Sequence, residues 1–111
     1  MLNTIFHIDE NSKWEMVNSN IYHLFEWMKF NHENGIIELV INGDAVEMAK
    51  KDSSVILKKL TELDVQVMIC ENSLNQRNIL LNEIQDQVKS VSSGVVELSL
   101  QQRAGFSYIK P

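Results

Sequence analysis

Short runs of β-branched and other apolar residues recur along this chain, each separated from the next by a stretch of helical periodicity, and that alternation admits few folds. Residues 4–8, 36–41, 65–70 and 106–109 read as buried or half-buried strands, with a weaker one at 88–91. Between them the apolar spacing turns helical. A first helix is expected from Ser12-Lys13-Trp14-Glu15, which has the form of a capping box, to Phe30. A second covers 45–63 with a break at Asp52-Ser53, and a third covers 73–78. The last covers 93–104, opened by Ser93 as N-cap and stopped by Gly105. Strands alternating with helices of this length are joined by right-handed crossovers, which sets them parallel in one sheet covered on both faces. The expected fold class is α/β: a three-layer α/β/α sandwich on a mainly parallel five-stranded sheet. With 111 residues, no repeat, no linker and a single proline, Pro111, the chain reads as one domain over residues 1–111.

Charge narrows the function classes. A net charge of -5 leaves no basic stripe to neutralise a phosphate backbone, which argues against a nucleic-acid partner. No apolar run is long enough to cross a bilayer, and Met1-Leu2-Asn3-Thr4 lacks the charged and apolar regions of a signal peptide. The expectation is a cytoplasmic protein with no membrane association. Cys70 is the only cysteine, so an internal disulfide is impossible, and no Cys/His spacing matches a zinc site. Neither a metal nor an organic cofactor is expected, since the glycine-rich phosphate motifs are absent too.

The first helix carries two apolar stripes. Trp14, Val17, Ile21, Leu24, Phe25 and Met28 make the face expected to rest on the sheet. Met16, His23, Trp27 and Phe30 make an offset one, more apolar than the solvent side of a monomer needs. Self-association explains it economically.

In open α/β sheets, ligands bind beyond the carboxyl ends of the strands. A parallel sheet here gathers His7, Asp9 and Glu10, then Asn42-Gly43-Asp44, then Cys70-Glu71-Asn72-Ser73, then Ser92-Ser93-Gly94 at that edge, strand order deciding which lie near Cys70. Cys70 is the candidate nucleophile, because a thiol beside a helix start meets unpaired N–H groups that favour the thiolate. His7 is the candidate proton acceptor. Asn42, Gly43, Asn72, Ser73, Ser93 and Gly94 are the candidate ligand-binding residues, as hydrogen-bonders and as glycines that allow close approach. Each also has a plain role as turn residue or helix cap, and a lone cysteine is often a buried, inert hydrophobe. Glu97, on the side of the last helix that carries Gly94, has two readings, an acid that reaches the same edge and, the favoured one, a solvated first-turn acid.

Two catalytic readings lose support from the residues present, although Asp9-Glu10 and Lys110 superficially match the second. A phosphatase or rhodanese-type anion loop closes between a cysteine and an arginine five residues on, whereas six residues, none of them glycine, separate Cys70 from Arg77. A phosphoacceptor receiver domain needs an aspartate where Cys70 stands.

Phe6-His7-Ile8-Asp9, Asn42-Gly43-Asp44-Ala45-Val46, Ile69-Cys70-Glu71-Asn72-Ser73-Leu74, Ser93-Gly94-Val95-Val96-Glu97-Leu98 and the ending Gly105-Phe106-Ser107-Tyr108-Ile109-Lys110-Pro111 together resemble the small DsrE/DsrF-like family. The likeness spans nearly the whole chain, is strongest around Cys70 and Gly94, and points to the solitary single-domain branch. It implies a three-layer α/β fold, a homotrimer or hexamer, and a cysteine that carries persulfide sulfur in sulfur transfer. By that likeness Cys70 is the sulfur carrier, Asn72 and Ser73 lie in its loop, and the partners are sulfur donor and acceptor proteins, with no cofactor. Relay members of the family work as hetero-oligomers with dedicated partners, and the motif here resembles the solitary branch more closely. The same residues also fit a non-catalytic oligomeric module that binds a small ligand or a protein, with Cys70 unreactive.

Overall fold

The structure is a computed structural model that describes residues 1–111. Five strands, β1 Thr4–Ile8, β2 Ile37–Ile41, β3 Gln66–Cys70, β4 Lys89–Val91 and β5 Ser107–Ile109, form one sheet in the order β4-β3-β2-β1-β5, with every neighbouring pair parallel. Helices α1 Trp14–Phe30, α2 Lys58–Thr61, α3 Glu71–Gln76 and α4 Gly94–Arg103 connect them, with 3-10 turns at Asn11–Lys13, Gly43–Ala49 and Leu81–Glu83. This is the three-layer α/β/α sandwich that the alternation predicts. None of the helices is long and apolar enough to cross a membrane.

The two outer layers are unequal, and the handedness rule explains why. From β1 to β4 the chain steps across the sheet in one direction, so right-handed connections all fall on one face. The last connection returns from β4 at one edge to β5 beside β1, stepping the opposite way, and the same rule carries α4 to the other face. Strand alternation serves both. On β1, Phe6 and Ile8 point to the first face and Ile5 to the second. The first face is sealed by a cluster of 20 buried residues that includes Leu39, Ile41 and Ile69 of the sheet and Trp14, Val17 and Ile21 of α1. The second has only three, Ile5, Val40 and Leu98, with Met68 and Phe106 packed against them.

Two expectations need correction. Ser12 forms no capping box: it lies inside the turn Asn11–Lys13, which is closed by the Lys13 N–H on the Glu10 carbonyl at 3.1 Å, and α1 begins at Trp14 without a side-chain cap. The helix expected over 45–63 is mostly absent. Backbone groups from 49 to 57 are taken by another segment: the Lys51 N–H bonds the Glu83 carbonyl at 2.9 Å and the Gln85 N–H bonds the Ala49 carbonyl at 3.0 Å. The Gln85 side chain then accepts from the Leu57 N–H at 2.9 Å and donates to the carbonyls of Val55 at 2.7 Å and Lys50 at 3.2 Å. Tertiary hydrogen bonds thus displace the helical ladder, and only α2 forms.

Candidate functional site

Neighbouring strands β3 and β4 send their following helices to opposite faces, since Leu74 of α3 joins the large cluster and Leu98 of α4 the small one. The crevice between their carboxyl ends is the topological switch point of the sheet, where open α/β folds bind ligands. Cys70 ends β3 in this crevice, opposite Val91 of β4. It is also the N-cap of α3, its Sγ accepting the Ser73 N–H at 3.4 Å.

Gly94, the first residue of α4, closes the crevice from the other side. A Cβ there would stand 3.2 Å from Asn42 Cβ, 3.3 Å from Cys70 Cβ and 3.3 Å from Val40 Cγ1, so the close seat of the helix on Asn42 and Cys70 depends on a glycine. Ser93 caps α4, its Oγ accepting the Val96 N–H at 3.4 Å. Ser73 links two strand ends. Its buried Oγ accepts the Gly43 N–H at 2.9 Å, while its backbone N–H donates to the Cys70 sulfur. Gly43 makes that possible with φ at 57°, a left-handed turn that favours glycine. Arg77 ties α3 to the same turn, donating to Asp44 Oδ1 from Nη2 at 2.8 Å and to the Ser73 carbonyl from Nη1 at 3.0 Å.

Cys70 is only 5% exposed. Burial pushes its thiol up, but the Ser73 hydroxyl and the N–H groups of Gly94, Ser73 and Asn72 together outweigh burial and hold it below the ordinary thiol range. The sulfur therefore lies in a ring of donors from both diverging helices.

Strand order brings Cys70, Asn72, Ser73, Gly43, Asn42 and Gly94 together, with Ser93 beside them as the cap of α4. His7 stands one residue behind them. Its Nε2 bonds Asn42 Oδ1 at 2.8 Å and its Nδ1 meets the Tyr108 hydroxyl at 2.7 Å. An amide oxygen can only accept, so Nε2 carries the proton and His7 reaches the crevice through Asn42. Tyr108 escapes a reading of the sequence because only the parallel pairing of β5 with β1, Ile5 opposite Tyr108, sets it on the face His7 shares.

The sequence reading also misses Glu38 and misplaces Glu97. Glu38, in the middle of the apolar strand β2, is fully buried, and neither oxygen meets an N–H or O–H donor. Burial first, then Glu97 of α4 just above it, push its carboxyl up to about 8. At neutral pH it is protonated and donates to Glu97, which is held below the ordinary carboxylate range by that bond and accepts at Oε2 from Gln101 Nε2 at 3.0 Å. Glu97 is thus no solvated first-turn acid but a half-buried group turned toward the sheet. An acid flanked by apolar residues in a strand was the available signal.

Sizeable clefts lie away from Cys70. One of about 480 Å³ is bounded by Tyr22, Phe25, Glu26, Lys29 and Phe30, another of about 430 Å³ by residues that include Met48, Ser53 and Ile79.

No family model matches the chain, and no curated protein does. Solved structures do. The protein of unknown function MTH1491 from Methanobacterium thermoautotrophicum is 29% identical, with both chains covered in full and a TM-score of 0.92. The ychN protein from E. coli is 17% identical, again with both chains covered in full, at a TM-score of 0.73. BT1422 from Bacteroides thetaiotaomicron, a conserved protein of unknown function, is 10% identical over 98% of this chain and 94% of its own, at a TM-score of 0.75. The last two are similar in fold alone, and in all three the whole of this three-layer arrangement recurs as a unit.

Proposed function

We propose that the chain is a small DsrE-like sulfur carrier in which Cys70 holds a persulfide between a donor and an acceptor. The observation that carries the reading is the ring of donors around Sγ, which favours the thiolate even in a buried position. In the first half-reaction the Cys70 thiolate attacks the outer sulfur of a donor persulfide; a new S–S bond forms as the donor's S–S bond breaks, and the donor leaves as a thiolate. In the second, an acceptor nucleophile takes the outer sulfur, and Cys70 leaves with the bonding pair. No external oxidant is needed, because the transferred sulfur keeps its oxidation state. The same donors that stabilise the attacking thiolate make Cys70 a good leaving group. The outer sulfur of a persulfide sits about 2.05 Å beyond Sγ, so the donors to Sγ remain on the inner atom.

In this reading His7 and Tyr108 orient Asn42, and the partners are donor and acceptor proteins together with further copies of the chain. The exposed Met16, Trp27 and Phe30 of α1 support self-association into a trimer or hexamer. A free, functional thiol suits the reducing cytoplasm. The second reading, a binding module with an inert cysteine, draws on the 5% exposure of Cys70. Mass spectrometry after incubation with inorganic polysulfide separates the two. The carrier gains one sulfur atom on the peptide containing Cys70 and alkylates ahead of a free-cysteine control; unchanged mass with alkylation behind that control overturns the carrier reading.

A further inference from the structure

We propose that Glu38 and Glu97 share a single proton across the joint between α4 and the sheet, and that this proton is a latch on the Cys70 crevice: its loss unseats α4 and withdraws Gly94 from the sulfur. The latch stands on the acid pair, and only its consequence at Cys70 rests on the sulfur-carrier reading.

A carboxyl with no exposed surface and no N–H or O–H partner, in the central strand of a parallel sheet, is costly to ionise unless something answers its charge. What answers it is a second acid. Glu97 lies on α4 one turn after Gly94, and with Glu38 protonated the two make one strong hydrogen bond, O–H to carboxylate. Remove the proton to hydroxide and two carboxylates face each other in a poorly solvated joint. Nothing nearby offsets them. On the face under α4 the sheet presents Ile5 and His7 from β1, Gln66, Met68 and Cys70 from β3, Lys89 from β4 and Tyr108 from β5. His7 is occupied by Asn42 and Tyr108, and Lys89 is exposed on the far edge strand, in register with Met68 rather than with Glu38. From α4 itself only Glu97 acts on the pair, with Gln101 donating to it. The apolar seat that resists repulsion is thin, Ile5, Val40 and Leu98 against the 20 residues of the opposite face. Glu97 is half-buried, which gives the proton its way out.

Wild-type protein labelled with ¹³C at glutamate carboxyls is expected to show one carboxyl that titrates in the mildly alkaline range; if every glutamate titrates in the ordinary acid range, the latch is overturned. Amide exchange over α4, corrected for its intrinsic pH dependence, is expected to rise at least tenfold between pH 6 and pH 9 in wild type and to stay flat in Glu38→Gln, whose amide donates to Glu97 at any pH. An equal rise in both also overturns it. Glu97→Gln supplies a neutral partner from the other side and is expected to abolish the rise, because an ionised Glu38 then meets an amide donor and no second carboxylate; a rise equal to wild type in this variant also overturns the latch. Sulfur loading of Cys70 is read in the same samples. Loading with a flat wild-type exchange profile rejects the latch and leaves the carrier; a latch without loading rejects the carrier.

Discussion

At the scale of single residues, the chemistry of this protein reduces to which donors reach one sulfur. Ser73 is central because its hydroxyl accepts from Gly43 and lowers the Cys70 thiol pKa while its N–H donates to the same sulfur, so it senses two strand ends at once. Ser73→Ala removes the hydroxyl donor but leaves the Ser73 N–H in place, and is expected to raise the Cys70 pKa and slow iodoacetamide alkylation at neutral pH, measured as rate against pH. Gly94→Ala acts from the other side. Its Cβ has to displace Asn42, Cys70 or Val40, and overpacking of this kind costs about 1–3 kcal/mol. Urea melts should show that loss together with a higher thiol pKa, since the helix that donates the Gly94 N–H is pushed away. Cys70→Ser is expected to keep the fold, with a stability change on the order of 1 kcal/mol, because the hydroxyl can still accept the Ser73 N–H. It abolishes sulfur loading.

At the scale of elements, the segment between β2 and β3 shows how one side chain replaces a helix. Gln85 holds the Leu57 N–H and the Val55 and Lys50 carbonyls, three backbone groups that a helix would have paired internally. Gln85→Leu leaves them unanswered and is expected to destabilise the protein by about 1–3 kcal/mol, read from denaturant melts. Helix α1 presents the opposite case, where the sequence pattern carries over directly. Trp14, Val17, Ile21 and Met28 are buried, Leu24 and Phe25 pack partly against the core, and Met16, Trp27 and Phe30 stay exposed. Trp27→Glu sets a charge in the centre of that exposed stripe and is expected to lower the assembly mass in light scattering. A wild-type monomer at micromolar concentration would show that the stripe serves some other purpose.

At the scale of the whole molecule, the buried acid pair links global stability to pH. Glu38 has a folded pKa raised from 4.5 to about 8, so its contribution is fully present below about 4.5 and is lost as pH rises through that window. Cys70, held below its ordinary value, works in the opposite sense at alkaline pH. The informative comparison is therefore between wild type and Glu38→Gln at each pH: the variant is expected to be the more stable above pH 8, by an amount on the order of a few kcal/mol at most, in thermal melts. The sequence by itself determined the class of this fold. Strand and helix periodicities, Ser93 as a cap and Gly105 as a stop are local properties, and handedness turns their alternation into a parallel, covered sheet. It also determined which residues stand at the carboxyl ends of the strands, Cys70, Asn42, Ser73 and Gly94 among them, but strand order decided which of them became neighbours. Only the tertiary structure decided the rest. Strand order made the crevice at Cys70 the switch point, the pairing of β5 with β1 brought Tyr108 to His7, Gln85 dissolved a helix that periodicity favours, and α4 on the thin face set Glu97 against Glu38. Each of these depends on groups far apart in the chain, and local periodicity carries no record of distance in space.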